Sequence, residues 1–448
     1  MNRGSGLLEP LAEAADARIE GQEARLARHL ADAVLARTAG GRTREGQALE
    51  SLSRRLDPGL LGRVAADASL IRLTEIDDIH RPTAVTVGAL TAPVAWAFAR
   101  SHHRGADLLR ALLVGQETAL RLGTALGGAR LLTRGLWPSL LVAPVGAAAT
   151  AACLLGLPPN RRRQALALAL AQVPRAPGSF RGQRPGRWLL FGQAVRNGCV
   201  AALAAADGID GDPGLLDLAW LQGIGGDLAQ AEALRSPVLL SESLSIKPHP
   251  SAKQALAALH GLQQLLARGI VQAADIEALE VHVPPPYAAM LDRDPPTTSR
   301  LARLVNVRWQ LALAALRPDA LDDVAREDDL AGDPHLQAFA ARVRVLPDSA
   351  LDALYPESFP ARLVVRAAAQ RHELQVNDSP GDPAQAFDDA QLLDKARRVL
   401  GPDAPLAPLR HAFALAVDPG ALHALRVDLG YAQHPDMLSP APPPRPTP

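Results

Sequence analysis

The sequence predicts a mainly helical protein carrying a smaller α+β part, on three observations. The 448 residues are long for one hydrophobic core and suggest two domains. From Gly135 to Gly208 the chain is built of small-residue helices either side of a Gly/Pro/Arg loop. After about residue 275 the texture changes to alternating apolar and polar residues, the period of strands.

Taken in order, residues 1 to about 60 read as amphipathic helices, with Leu26, Leu30, Ala33 and Val34 on one face and Ala39-Gly40-Gly41-Arg42 ending the helix. A further helix covers 61–74. The polar, proline-bearing segment Glu75-Ile76-Asp77-Asp78-Ile79-His80-Arg81-Pro82 follows, where Asp77 and Asp78 fit a solvated turn as well as they fit a catalytic role. Helices then run over Val85–Ala99 and Ala106–Leu126. The stretch around Ala147–Ala152 is apolar nearly all round, so it belongs in the middle of a helical core. The loop Pro174–Phe191 carries Arg175, Arg181, Arg184 and Arg187 between glycines and prolines and is expected to face water or an anion. Between Gln222 and Ser243 the pattern weakens. Ser245–Ser251 is an extended turn opening a helix over Ala252–Ala267. Strands are expected at 276–283, 341–345, 361–366 and 372–376, around helices at 297–316 and 318–325. Helices return at 388–400 and 408–416. The expected division is therefore 1–241 helical, 242–390 α+β, 391–435 helical again, and 436–448 a disordered proline-rich tail.

Composition excludes several classes. Formal net charge is zero with 48% hydrophobic residues, which favours neither nucleic acid, nor a membrane surface, nor disorder. Cys153 and Cys199 are isolated thiols in apolar helical stretches, so neither a disulfide framework nor a zinc site is expected and a reducing cytoplasm fits best. Charged residues interrupt the N-terminal apolar stretch, arguing against a signal peptide. No P-loop, HExxH, GxSxG or CxxC occurs, and Gly223-Ile224-Gly225-Gly226-Asp227 lacks the spacing of a dinucleotide site. His102-His103 sits in a polar turn and reads as a surface pair.

Several pieces together carry a resemblance: Asp77-Asp78-Ile79-His80, Gly135-Leu136-Trp137-Pro138-Ser139 leading into Gly146-AAATAACLLGL, a basic residue five before Gly192, Ile246-Lys247-Pro248-His249-Pro250-Ser251, Asn306-Val307-Arg308-Trp309, and Ser379-Pro380-Gly381-Asp382-Pro383 ahead of Lys395. In that order they resemble the MmgE/PrpD family, over about residues 20 to 400. The resemblance implies a large helical domain with an α+β lid, a homodimer, and chemistry on small polycarboxylates without metal or organic cofactor. It also implies where the site lies. The family's DD-x-H is present, while the histidine of its H-P-S falls on Arg81 and that of G-[FW]-H-x-T on Trp137. One lysine position falls on Arg187, a second is kept as Lys247, and the tyrosine of S-x-x-Y falls on Trp309.

Those positions define the candidates. Lys247, Asp78, His80 and His249 are candidates for moving protons; Arg81, Arg187, Trp137, Ser139, Trp309 and Asp77 are candidates for holding substrate. Arginine stays protonated, so Arg81 and Arg187 are clamps rather than shuttles. Lysine is scarce in this arginine-dominated chain, which singles out Lys247. The expected function is dehydration, decarboxylation or epimerisation of a small carboxylate in a cleft between the domains, with a more aromatic site. The competing reading is an inactive member that binds a carboxylate or a partner. A purely structural helical protein would have no such cleft.

Overall fold

The computed structural model describes residues 7–13, 19–174, 186–224, 226, 228–292, 300–326 and 328–432. The chain is mainly helical with a separate small sheet, the fold class read from the sequence. The helical body begins with α1 (Leu8–Glu13), α2 (Glu23–Gly41), α3 (Arg44–Leu56) and α4 (Leu60–Leu73). A two-residue strand, β1 (Ile79–His80), precedes α5 (Gly88–Phe98), α6 (Gly105–Ala125), α7 (Pro138–Leu154), α8 (Pro159–Leu170) and α9 (Gly186–Ala206).

Helix α7 lies at the centre, packed on α5, α6, α8 and α9, and all but one of its residues are buried. Its alanines are what make that possible, because neighbouring backbones come within touching distance. A Cβ built on Gly198 of α9 would stand 2.1 Å from the Pro144 carbonyl oxygen of α7. Among the described residues α9 is the one helix long and apolar enough to cross a membrane, yet it packs against α4, α7 and α8, as a core helix does.

Helix α9 also corrects the expected loop. Residues 186–191 are helical, with Trp188 and Phe191 buried, because two large aromatic side chains on one face gain more from the core than the glycines before them cost. Arg175, Arg181, Arg184 and the tail 436–448 lie outside the described residues.

A second hydrophobic core is built from the α+β part. Its four-stranded sheet has the order β4 (Val343–Pro347), β3 (Ile276–Val283), β5 (Ala361–Ala367), β6 (Gln370–Val376). β3 and β4 run parallel, while β3/β5 and β5/β6 are antiparallel. Alternation in β3 does what the sequence implied: Ile276, Leu279, Val281 and Val283 are buried. The helix Lys253–Ala267 packs on β5 and β6 and on the helix Val307–Leu316. The helix expected over 297–316 is broken in two, Arg300–Leu304 and Val307–Leu316, since the Asn306 side chain accepts the Trp309 backbone N–H at 2.9 Å and starts a new helix. The helix expected over 318–325 spans only Pro318–Leu321. After β6 the chain returns to the first core through the helices Asp389–Leu400, Ala407–Ala414 and Ala421–Asp428.

Candidate active site

A short ladder assembles the site. β1 pairs antiparallel with β2 (Leu244–Ser245), matching Ile79 with Ser245 and His80 with Leu244. Continued by two residues, that register sets Lys247 opposite Asp77. The turn after β2 is anchored from the other side, where the Ile246 N–H donates to the Gly381 carbonyl at 2.9 Å. Gly381 has φ of 85°, and a Cβ there would stand 1.9 Å from the Ile246 carbonyl oxygen. Glycine is therefore required at this close approach.

Between the helical body and the α+β part lies a cavity of about 90 Å³. Its cations are Arg72, Arg187, Lys247 and Lys253; Glu75, Thr86 and Gln254 add polar groups, and Ile79, Leu132, Trp137, Met290 and Val305 supply apolar wall. The chain contains three lysines among its 47 basic residues. All three are buried, at 1% exposure for Lys247, 3% for Lys253 and 0% for Lys395. A long cationic side chain is seldom buried without a partner, so each of the three is held by a specific charge.

Lys247 Nζ donates to the Glu75 carbonyl at 3.1 Å and to Glu75 Oε2 at 3.3 Å, and lies 3.8 Å from Asp77 Oδ1. Arg72, in the last turn of α4, donates to Asp77 Oδ1 at 2.6 Å and to Glu75 Oε1 at 3.3 Å. Burial alone would raise the Glu75 carboxyl, but Arg72, Lys247 and Arg187 outweigh it and hold it at about 2. For Asp77 burial wins over the pull of Arg72 and Lys247 and, with Glu75 and Asp78 nearby, pushes it up to about 6. Carboxyl groups whose proton affinities are driven apart in this way cluster at functional sites, and buried ion-pair networks produce them too.

Lys253 donates to Ser379 Oγ at 2.7 Å and lies 2.7 Å from Asp382 Oδ1; burial lowers its proton affinity against the opposing effect of Asp382. Arg187 stacks on Trp137 and Trp188, its guanidinium carbon 4.4 Å and 4.5 Å from their ring centroids. Arg72 lies over the same two rings at 5.7 Å and 5.1 Å. Two indole faces thus serve two guanidinium groups, which offsets their mutual repulsion.

The MmgE/PrpD N-terminal domain matches residues 53–226 and the MmgE/PrpD C-terminal domain residues 249–408. The chain belongs to the MmgE/PrpD family. Among curated relatives, a cis-aconitate decarboxylase-like protein of Aspergillus oryzae is 33% identical over 164 residues, 34% of this chain and 33% of that protein. The cis-aconitate decarboxylase of Aspergillus terreus is 33% identical over 173 residues, 36% of this chain and 34% of that protein. The human cis-aconitate decarboxylase is 32% identical over 153 residues, 33% of this chain and 31% of that protein. The matched region spans about a third of the length of each of these relatives.

In this MmgE/PrpD member, three of the sequence candidates, Lys247, Arg187 and Trp137, line the cavity. The remaining candidates stand elsewhere. Asp77 sits directly behind Lys247 and Arg72, fully buried rather than in a solvated turn. Asp78 is also buried; its Oδ1 accepts the Gly88 N–H at 2.8 Å at the start of α5, and its Oδ2 faces His29 Nδ1 at 3.3 Å. It is a helix-terminus charge. His80 is buried in β1 with Nδ1 2.8 Å from Thr83 Oγ1, and burial reinforced by Arg81 pushes it down to about 3, so it stays a neutral imidazole. His249 pairs with Asp322 Oδ1 at 2.7 Å and Gln263 at 3.1 Å. Arg81 binds Asp378 and lies 3.7 Å from Asp382. Ser139 Oγ accepts the Thr86 N–H at 3.1 Å and so orients a wall residue without lining the cavity. Trp309 is in the second core.

Arg72, Glu75, Lys253 and Gln254 are the site residues that sequence reasoning passed over. Scarcity of lysine pointed equally to Lys253, six residues after Lys247. Arg72 and Glu75 read as an ordinary helix end.

Proposed function

We propose that this protein is a cofactor-independent lyase or isomerase acting on a small carboxylate-bearing substrate in the cavity between its two cores. The observation that carries the reading is the convergence of Arg72, Arg187, Lys247 and Lys253 on one partly apolar cavity. Such a site is where binding or reaction is expected first.

The chemistry follows from charge. Loss of carbon dioxide from a carboxylate breaks a C–C bond and leaves its electron pair on carbon; abstraction of an α-proton leaves the same kind of anion. Fixed cations stabilise that developing charge. The anion then takes a proton, which Lys247 is positioned to deliver, with Asp77 behind it as the group able to replace that proton near neutral pH. The decarboxylase activity of the relatives favours decarboxylation over dehydration or epimerisation. One observation favours the alternative of a binding protein: no histidine lines the cavity among the described residues, leaving lysine and carboxyl groups as the proton carriers.

The two readings separate in one assay. The purified chain is incubated with a panel of small carboxylates, and substrate loss and product are followed by NMR. Turnover by the wild type that falls by roughly 100-fold or more in Lys247→Met supports the enzyme. Thermal stabilisation by a carboxylate that is never consumed supports the binding reading. Neither consumption nor stabilisation by any carboxylate refutes both.

A further inference from the structure

We propose that Lys253 is a second proton carrier of the cavity and that Arg81, acting through Asp382, is its positioning residue. This inference rests on the carboxylate-site reading above and adds to Lys247 a group supplied from another part of the fold.

Lys253 lines the cavity and opens the helix Lys253–Ala267. The first turn of a helix is its positive end, where a cation is disfavoured, and no side chain caps this one. The ammonium is held instead by the loop after β6. Its Nζ donates to Ser379 Oγ at 2.7 Å and to Asp382 Oδ2 at 2.8 Å. The Ser379 N–H and hydroxyl donate to the same Asp382 oxygen at 2.7 Å and 3.1 Å. That oxygen also lies 3.7 Å from Arg81 Nη1, and Arg81 binds Asp378 besides. Asp382 therefore serves two cations, of which Arg81 cannot lose its proton. Arg81, read from the sequence as a substrate clamp, stands on these two carboxylates rather than among the lining residues.

The sharing makes the lysine the cation that gives way. Burial lowers the proton affinity of Lys253 and Arg81 adds to the effect, against the pull of Asp382 and Asp378. Arg72, Arg187, Lys247 and Glu75 line the same cavity. Protonated Lys253 gives its proton to the carbon that keeps the electron pair when carbon dioxide leaves: the N–H bond breaks, its pair stays on nitrogen, and a C–H bond forms. In the reverse sense the neutral amine takes a proton from the carbon beside a ligand carboxylate and leaves the pair on that carbon. Glu75 and Asp77 serve Lys247, whereas Ser379 and Asp382 serve Lys253, so the two lysines are supplied independently.

The test exploits the three lysines of the chain. Labelling the full chain with carbon-13 at lysine Cε gives three NMR signals, and Lys253→Arg, which keeps the charge but not the transferable proton, assigns one of them. In the wild type that signal is expected to titrate below the ordinary 10.5, and in Arg81→Met about one unit or more higher than in the wild type. A second readout is deuterium uptake from heavy water at the methylene of but-3-enoate and of pent-2-enedioate, each placed between a carboxylate and a double bond. Uptake is expected to fall by roughly 100-fold or more in Lys253→Arg. In Arg81→Met its rise with pH is expected to move upward by the same shift as the lysine signal, which a purely structural role would not produce. A Lys253 signal at or above 10.5, a signal unmoved in folded Arg81→Met, or uptake unaffected by Lys253→Arg overturns the proposal. So does the absence of uptake by a probe that binds. Should Arg81→Met fail to fold, the wild-type titration and Lys253→Arg decide. Failure of both probes to bind the folded wild type refutes the carboxylate reading itself, a distinct result because the lysine titration is read without ligand.

Discussion

Replacing Lys247 by methionine keeps the length of the side chain and removes its charge from between Glu75 and Asp77. The distances of 3.3 Å and 3.8 Å correspond to gross attractions of about 5 and about 4 kcal/mol at an effective dielectric constant of about 20. Most of that offsets the desolvation of the lysine. Removing one member of a buried ionic group nonetheless costs roughly 3–5 kcal/mol, because the partner charges stay behind unneutralised. The deficit has a defined pH dependence. Asp77 already binds its proton at about 6 in the folded wild type, against an ordinary 3.8, and losing Lys247 raises it further. The folded variant then takes up that proton at a higher pH than the folded wild type, so lowering the pH favours the variant relative to the wild type. Urea unfolding of both proteins from pH 8 to pH 5 should show a gap of roughly 3–5 kcal/mol at pH 8, narrowing by up to about 1.4 kcal/mol per unit of additional upward shift. A gap below about 1 kcal/mol that does not vary with pH is the size of a surface ion pair and would refute the buried cluster.

Three further substitutions probe the scaffold. His80 is neutral when folded because burial lowers it to about 3 from 6.5, so its contribution is complete above pH 6.5 and is lost as pH falls toward 3; unfolding titrations should show His80→Gln losing roughly 3 kcal/mol less than wild type between pH 6.5 and pH 4, and parallel acid limbs would contradict this. Gly198→Ala, whose methyl would press on the Pro144 carbonyl at 2.1 Å, should cost about 1–3 kcal/mol. Gly186→Ala, with nothing within 4 Å of its Cβ, should stay within about 0.5 kcal/mol by the same measurement.

What could be read from the residues divides along physical lines. The helix α7 and the strand β3 were legible because each is governed by a local period and by side-chain size, which the core simply obeys. For the segment from Glu75 to His80 the residues left a solvated turn and a place in the site equally open, because its burial is decided by distant partners: Lys247, Lys395 and the two-residue pairing with Leu244–Ser245. Polar composition cannot reveal that Arg72, Glu75 and Asp77 are neutralised together with Lys247 from a distant part of the chain. Lys247 was found through rarity, an indirect sign of a charge too costly to bury without purpose. The same sign marked Lys253, which stood at no position of the family resemblance, and Lys395, which the resemblance named only as following Ser379–Pro383 and not as a site residue. Asp78 and His249 illustrate the reverse error, since residue types suited to proton transfer are engaged in capping α5 and in binding Asp322.

The most direct test of the account is a crystal structure of the full chain soaked with a carboxylate that stabilises it. The account predicts the ligand carboxylate against Arg187 and Lys253, with Glu75 still bound to Arg72 and Lys247. A ligand seated elsewhere on the molecule, with this cavity holding only water, would contradict it.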